Sequence, residues 1–260
     1  MRRSTLAVQV GMLARRSVVR TLRQPAMVVP SLVFPLILLS INSSGLATAN
    51  HLPGFPTSSY FQFALAIPFV QGALFSANSA GTNIAGDIET GFLNRLSLTP
   101  LRRVSLMLGQ LTGIVALGLI QALTFLLVGI VFGSGIAAGP AGAVVLVLLS
   151  LTISLAFGGI GAFVALRTGT GEAVQAAFPL FFAALFLSSM SLPRNLIEND
   201  WYQTVATWNP VSYMIEGIRS LVIVGWDPEA IALGFACAGG IAAIFIAAAG
   251  AALRTRMVRT

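Results

Sequence analysis

Two runs of 63 residues contain no Asp, Glu, Lys or Arg, one from Gln24 to Gly86 and one from Val104 to Leu166. A bilayer core of about 30 Å is crossed by about 20 helical residues, so each run is too long for one crossing and fits two helices joined by a turn. Both turns are legible. Thr48 to Thr57 (TANHLPGFPT) and Gly133 to Pro140 (GSGIAAGP) are dense in Gly and Pro, the residues that punctuate regular structure. The chain is 56% apolar and 9% charged, leaving too little polar surface to clothe a water-soluble globule. An all-α integral membrane fold follows.

Six spans are expected, near residues 26–47, 58–80, 106–132, 141–165, 173–192 and 230–252, within a single transmembrane domain. Pro30, Pro35, Pro68 and Pro179 fall inside them and predict kinks, because each removes a backbone hydrogen bond that neighbours must replace. Segment 193–229 is apolar enough to tempt a seventh span. Asn209-Pro210 interrupts it, however, and Glu216 and Arg219 sit in its second half, where an ionised group at the bilayer centre costs roughly 2.5–3.5 kcal/mol on insertion scales. We read it as a re-entrant helical hairpin on the outer side, with Glu216 and Arg219 three residues apart and able to pair on a helix.

Six spans with both termini inside place 13 of the 15 Arg on the cytoplasmic side, all but Arg194 and Arg219. That is the asymmetry of the positive-inside rule. The first 23 residues hold six Arg and no acid. Gln9, Arg16, Arg20 and Arg23 form one helical stripe and Leu6, Val10 and Leu13 another, predicting an interfacial helix within 1–25 whose arginines meet anionic lipid. Ala47-Thr48-Ala49 resembles a signal cleavage site, but the apolar run before it is too long for a signal peptide, so a retained first span is expected. Trp201, Trp208 and Trp226 bracket the outer segment as interface anchors.

Single-residue counts exclude chemistry. Without any Lys there is no phosphate-binding loop of the Walker kind and no Schiff-base lysine. One histidine, His51, and one cysteine, Cys237, supply neither a His/Cys metal cluster nor a disulfide. Eight scattered acids form no catalytic constellation, and no arginine cluster is interleaved with aromatics as nucleic-acid binding would require. Cys237 reads as a packing residue. No catalytic and no metal-binding residue is expected.

Between the second and third spans lies GDIETGFLNRLSLTPLRR, Gly86 to Arg103. Ile88, Phe92 and Leu96 recur at helical spacing, with Asp87 and Glu89 near the start and Arg95 later, as suits a short helix and its dipole. Such a helix beneath two spans is a handle by which a soluble partner moves both. Within the spans the polar residues are uncharged. Gln62, Gln71, Asn78 and Gln121 are candidates to line a path for an amphiphile, although such groups more often join helices. Gly109/Gly113 and Gly129/Gly133 have the spacing of a close helix contact, weak evidence for a dimer face.

These residues resemble the membrane subunits of type-2 ATP-binding-cassette exporters, the permeases of the daunorubicin-resistance kind, over essentially the whole chain. The loop after the second span carries the family's acid, Gly, Leu and Pro followed by basic residues as Glu89, Gly91, Leu96, Pro100, Arg102 and Arg103. Before the last span, Leu192-Pro193, Asn209-Pro210, Tyr213, Arg219 and Gly225 match a second motif, with a longer gap between the two prolines. The resemblance implies a non-catalytic permease of the bacterial cytoplasmic membrane. Its implied partners are two copies of an ATP-binding subunit, a second permease, identical or related, and membrane lipid. ATP and Mg would be held by the ATPase and not by this chain. The cargo would be a hydrophobic or amphiphilic drug, antibiotic or lipid moved outward. Asp87 through Arg103 would couple to the ATPase, with Arg167 to Glu172 as a second contact; Pro193, Asn209, Pro210, Tyr213, Glu216 and Arg219 would form an outer gate. The alternative, a proton- or sodium-coupled carrier, needs an ionisable residue in mid-membrane, for which only Glu172 and Glu216 are available.

Overall fold

The computed structural model describes residues 6–97 and 103–259, with side chains except at 94, 96, 97, 103 and 257–259. Among these residues all regular structure is helical. The helices are α1 (Leu6–Leu22), α2 (Pro25–Gly45), α3 (Tyr60–Ala64), α4 (Ala66–Glu89), α5 (Phe92–Ser97), α6 (Arg103–Val131), α7 (Gly139–Thr168), α8 (Gly171–Phe186), α9 (Asp200–Trp208), α10 (Pro210–Arg219) and α11 (Pro228–Arg259). Among the described residues, five stretches are long and apolar enough to cross a membrane: Pro25–Gly45, Tyr60–Glu89, Val104–Val131, Gly139–Thr168 and Pro228–Arg256. The expected span at 173–192 is α8, which stops at Phe186 after 16 residues, about 24 Å at 1.5 Å per residue and shorter than the bilayer core.

The second expected span differs most. It breaks at Leu65, because Pro68 has no N–H for the Ala64 carbonyl, and it then runs nine residues past its expected end at 80. Asp87 and Glu89 therefore belong to the last turns of α4 and do not open the loop helix. Gly91, at φ +67°, ends the run, and α5 begins only at Phe92. The Ile88, Phe92, Leu96 periodicity is thus split between two helices.

α4 is the central helix: from Phe63 to Ala77 every residue except Phe75 is buried. Against α7 its backbone comes so close that a Cβ on Gly161 would lie 1.9 Å from the Ala77 carbonyl oxygen. Association in lipid depends on such close packing, since the solvent is itself apolar. α2, by contrast, shows Val29, Val33, Ile37 and Ile41 exposed along one stripe, a face suited to acyl chains. Cys237 packs against the apolar core, as a small hydrophobe should. Three of the four glycines read as a dimer face are occupied within the chain; nothing lies within 4 Å of a Cβ on the fourth, Gly133, which sits at φ +78° after α6. A Cβ on Gly109 would meet Leu13, one on Gly113 would meet Ser17, and one on Gly129 would meet Leu65. The first two are seats for α1.

Segment 193–229 folds as a short 3-10 turn at Arg194–Leu196 followed by α9 and α10, which meet at Asn209-Pro210. α10 plunges into the core with Met214, Ile215 and Ile218 fully buried. It continues as a π-helical turn, Ser220–Val224, closed by Gly225 at φ +108°. Carbonyls freed in that turn are satisfied from the α6–α7 connection: Ala137 N–H donates to Val222 and Ala138 N–H to Leu221.

Candidate functional site

Polar chemistry gathers at the two ends of the bundle. At the end carrying α1, Asp87 is only 3% exposed and receives four charge-assisted or amide donors. Arg16 is bidentate, Nη2 to Oδ1 at 2.8 Å and Nη1 to Oδ2 at 3.2 Å; Arg20 Nη1 reaches Oδ1 at 2.7 Å and Gln110 Nε2 reaches Oδ2 at 3.3 Å. The Arg16 guanidinium also lies 4.0 Å from the Phe92 ring centroid. One buried carboxylate thus joins α1, α4 and α6, with α5 stacked on its ligand.

These bonds hold α1 to the bundle. Arg16 and Arg20 turn inward to Asp87, and Gln9 is buried, accepting from Ser105 Oγ at 3.1 Å. Of the expected lipid-facing arginines only Arg23 is exposed, while Val8, Met12 and Leu22 face outward. The Arg16 and Arg20 side chains stay 39% and 28% exposed, so the stripe spans the boundary between the buried Asp87 and the surface. The stripe was readable; the direction it points was not, because its partner lies 71 residues away.

Glu89, one turn-half beyond Asp87, is exposed and accepts from the backbone N–H of Gly171 at 3.2 Å. Gly171 opens α8, whose N-cap Thr170 accepts from Ala173 N–H. A carboxylate at a helix N-terminus meets an unsatisfied donor and the positive end of the dipole. The 86–97 loop and the Arg167–Glu172 turn, two separate expected contacts, therefore touch, and both Arg167 and Glu172 are exposed. Leu96 and Arg103 are described in backbone only; Pro100 and Arg102 lie outside the described residues.

At the opposite end the expected Glu216–Arg219 pair does not form. Glu216 pairs with Arg194 and accepts from Ser189 Oγ at 2.8 Å. Arg219 is 7% exposed and donates to three carbonyls: Phe63 from Nε at 3.2 Å, Ser189 from Nη1 at 3.1 Å and Met190 from Nη2 at 3.0 Å. Its guanidinium also sits 3.5 Å from the Phe63 ring centroid. The planar fork finds acceptors in the broken backbone at α3 and after α8, a geometry better than a carboxylate on its own helix. Arg194 covers the Tyr213 ring at 4.5 Å; burial lowers its pKa, but the bonds to Glu216 and Tyr213 prevail and raise it.

Asn209 works twice, capping α10 through Val211 N–H to Oδ1 at 2.9 Å and donating from Nδ2 to the Ala184 carbonyl at 2.6 Å. Pro210 is the first residue of α10 and the Pro193 carbonyl accepts from Leu196 N–H. A cavity of about 220 Å³ opens beside Arg194, Tyr213 and Glu216, walled further by Asp227, Glu229 and Leu233. All six expected gate residues thus lie in or beside one segment, and Arg194 joins them.

The model of the family described as ABC-2 type transporter matches residues 8–223. The chain belongs to that family. Three relatives, each named "Putative transport permease ycf38", are similar to it. The one from Porphyra purpurea is 26% identical over 213 residues, covering 81% of this chain and 72% of the relative. The one from Pyropia yezoensis is 28% identical over 229 residues, covering 86% and 77%; that from Cyanophora paradoxa is 27% identical over 214 residues, covering 80% and 72%. The ABC-2 chain is accordingly a multi-pass membrane transport permease, and its family implies association with an ATP-binding subunit.

Of the residues read as a cargo path, Gln71 and Gln121 are buried in this ABC-2 structure, whereas Gln62 and Asn78 are half-buried and Asn78 lines a cavity of about 100 Å³ beside Met27, Pro30 and Phe75. Gln62 is committed to the far-end loops, donating to the Ser134 carbonyl at 2.7 Å and accepting from Thr57 Oγ1 at 2.6 Å. Gln121 accepts from Ser76 Oγ at 3.3 Å. Gln71 is fully buried, and among the described residues neither end of its amide has a partner; Asn78 Oδ1 likewise has none. Sequence reading counts Gln110 among the polar residues of the spans that join helices but does not name Asp87 as its partner, and it does not reveal Arg194 as the partner of Glu216. Gln110 offered a signal, being a polar residue facing an acid-bearing helix from the first turns of an apolar one.

Proposed function

We propose that this permease is the membrane subunit of an ATP-driven exporter in a bacterial cytoplasmic membrane, with both termini cytoplasmic. It moves hydrophobic or amphiphilic compounds outward using ATP hydrolysed, with Mg, on two copies of a separate subunit, and it pairs with a second permease, identical or related. The observation that carries this reading is the acid-bearing end of α4 feeding through Gly91 into α5, in a family chain that has no Lys for a phosphate loop. Asp87, Glu89, Gly91, Leu96, Pro100, Arg102 and Arg103 are the proposed coupling residues. Pro193, Asn209, Pro210, Tyr213, Glu216 and Arg219 are the proposed outer gate.

An apolar or amphiphilic cargo is supported by the uncharged middle of every long helix, where Asp87 and Glu89 stand at an end. The polar groups Gln71, Asn78 and Gln121 are the proposed contacts of a more open state. Glu216, which a proton-coupled carrier would need free, is held by Arg194 and Ser189. The test is uncoupling. Glu89→Arg and Gly91→Trp should abolish ATP-dependent export while membrane insertion and assembly persist; normal export by both variants would reject the coupling role.

A further inference from the structure

Asp87 and Glu89 stand two residues apart at the end of α4, yet they hold different helices. Asp87 grips α1 through Arg16 and Arg20, and Glu89 reaches the first residue of α8. α8 has no covalent link to α4 or to α5 shorter than the whole of α6 and α7. A loop pulled by a partner moves the helices attached to it, α4 and α6. α8 also packs on α4, Val174 against Gly81 and the Phe178 ring 5.4 Å from that of Phe75, and a polar tie at the loop end adds a directional link to that apolar contact. The Glu89 carboxylate on the Gly171 N–H is such a tie. The bond is charge-assisted and aligned with the α8 dipole, which favours it over a neutral surface contact.

We infer that Glu89 is a positioning residue that passes displacement of the 86–97 loop to the N-terminus of α8, so that α8 moves together with α4. The inference rests on the coupling reading and adds the helix that receives the movement. It differs from a docking role, in which Glu89 would face the ATP-binding subunit and Gly171 would be irrelevant.

The donor can be removed without touching Glu89. Gly171 is the first residue of α8, where Pro is accommodated. Thr170 before it is extended at φ −127° and ψ 145°, the conformation a following Pro requires. No atom lies within 4 Å of a Cβ placed on Gly171. Gly171→Pro therefore deletes the N–H and keeps the helix, and Gly171→Ala is the control that retains the N–H.

The experiment uses the permease assembled with its ATP-binding subunit in nanodiscs, in a Cys237→Ala background. Spin labels at position 175 on α8 and position 144 on α7 report their separation before and after trapping with ATP and vanadate. In the parent and in Gly171→Ala, trapping shifts this distance. In Gly171→Pro and in Glu89→Ala at least half the shift is lost, and the double variant loses no more than either single one. A full shift in Gly171→Pro overturns the inference, whatever Glu89→Ala does. Gly91→Trp keeps the two readings apart: loss of the shift there with a full shift in Gly171→Pro leaves coupling standing and removes the link. A full shift in Gly91→Trp rejects the coupling reading, and no shift in the parent rejects both.

Discussion

Arg219 holds its charge in the apolar interior by fitting one planar fork of donors to carbonyls from two distant breaks in the backbone, at Phe63 and at Ser189–Met190. Removing it leaves three buried acceptors without donors. Arg219→Met should therefore lower stability by about 3–5 kcal/mol, toward the low end of what three buried acceptors left unsatisfied at about 1–3 kcal/mol each would cost. Arg219→Lys keeps the charge but cannot serve three acceptors in one plane, and should cost roughly half as much. Thermal unfolding in detergent, followed by size-exclusion fluorescence, measures both; an unchanged midpoint for Arg219→Met would contradict the pinning role. The sequence made Arg219 conspicuous as an ionised residue in an apolar segment. Its partners were beyond reach, because backbone carbonyls have no identity in a sequence and become available only where helices stop.

α1 illustrates how an amphipathic pattern can be legible while the partner of its polar stripe is not. Its arginine stripe is clamped by Asp87, and its outward stripe is Val8, Met12 and Leu22. Asp87→Asn would leave two guanidinium groups facing an amide. Loss of about 1–2 kcal/mol of docking free energy would raise the undocked population roughly 5- to 30-fold. Labelling of a cysteine at position 17, which sits against Gly113, should rise accordingly, and a rate equal to the parent's would refute the clamp. Between α4 and α7 the controlling feature is the absence of a side chain at Gly161. Gly161→Leu should separate these helices and abolish the folded monomer on size-exclusion, whereas at Gly240, where no atom lies within 4 Å of a Cβ, Gly→Leu should be tolerated. Long helices were legible because charge-free runs and Gly/Pro turns define them without reference to any partner. The break before α4 was signalled by Pro68, but the extension of α4 to Glu89 and the stop of α8 at Phe186 were not legible, since contacts with distant segments decide them.

Across the whole molecule, polar links gather at two ends: Asp87, Glu89 and the Arg256 Nε to Leu166 carbonyl bond at one, Arg194, Glu216 and Arg219 at the other. The proposed sidedness assigns the first to the cytoplasm. In a Cys237→Ala background, a cysteine replacing the exposed His51 should react with an impermeant thiol reagent in intact cells, and one replacing the exposed Arg95 should react only after permeabilisation; the reverse pattern would invert the topology. Family membership was legible in the loop after α4 and in the Asn209-Pro210 segment, because both combine rare residues in an otherwise apolar chain. Energy source is the central claim, and reconstitution tests it most directly. Proteoliposomes holding the permease alone, or with its ATP-binding subunit, are assayed for movement of an amphiphilic fluorescent dye. The account predicts transport only with both proteins and ATP, undiminished by a protonophore; dye movement by the permease alone, driven by a proton gradient, would contradict it.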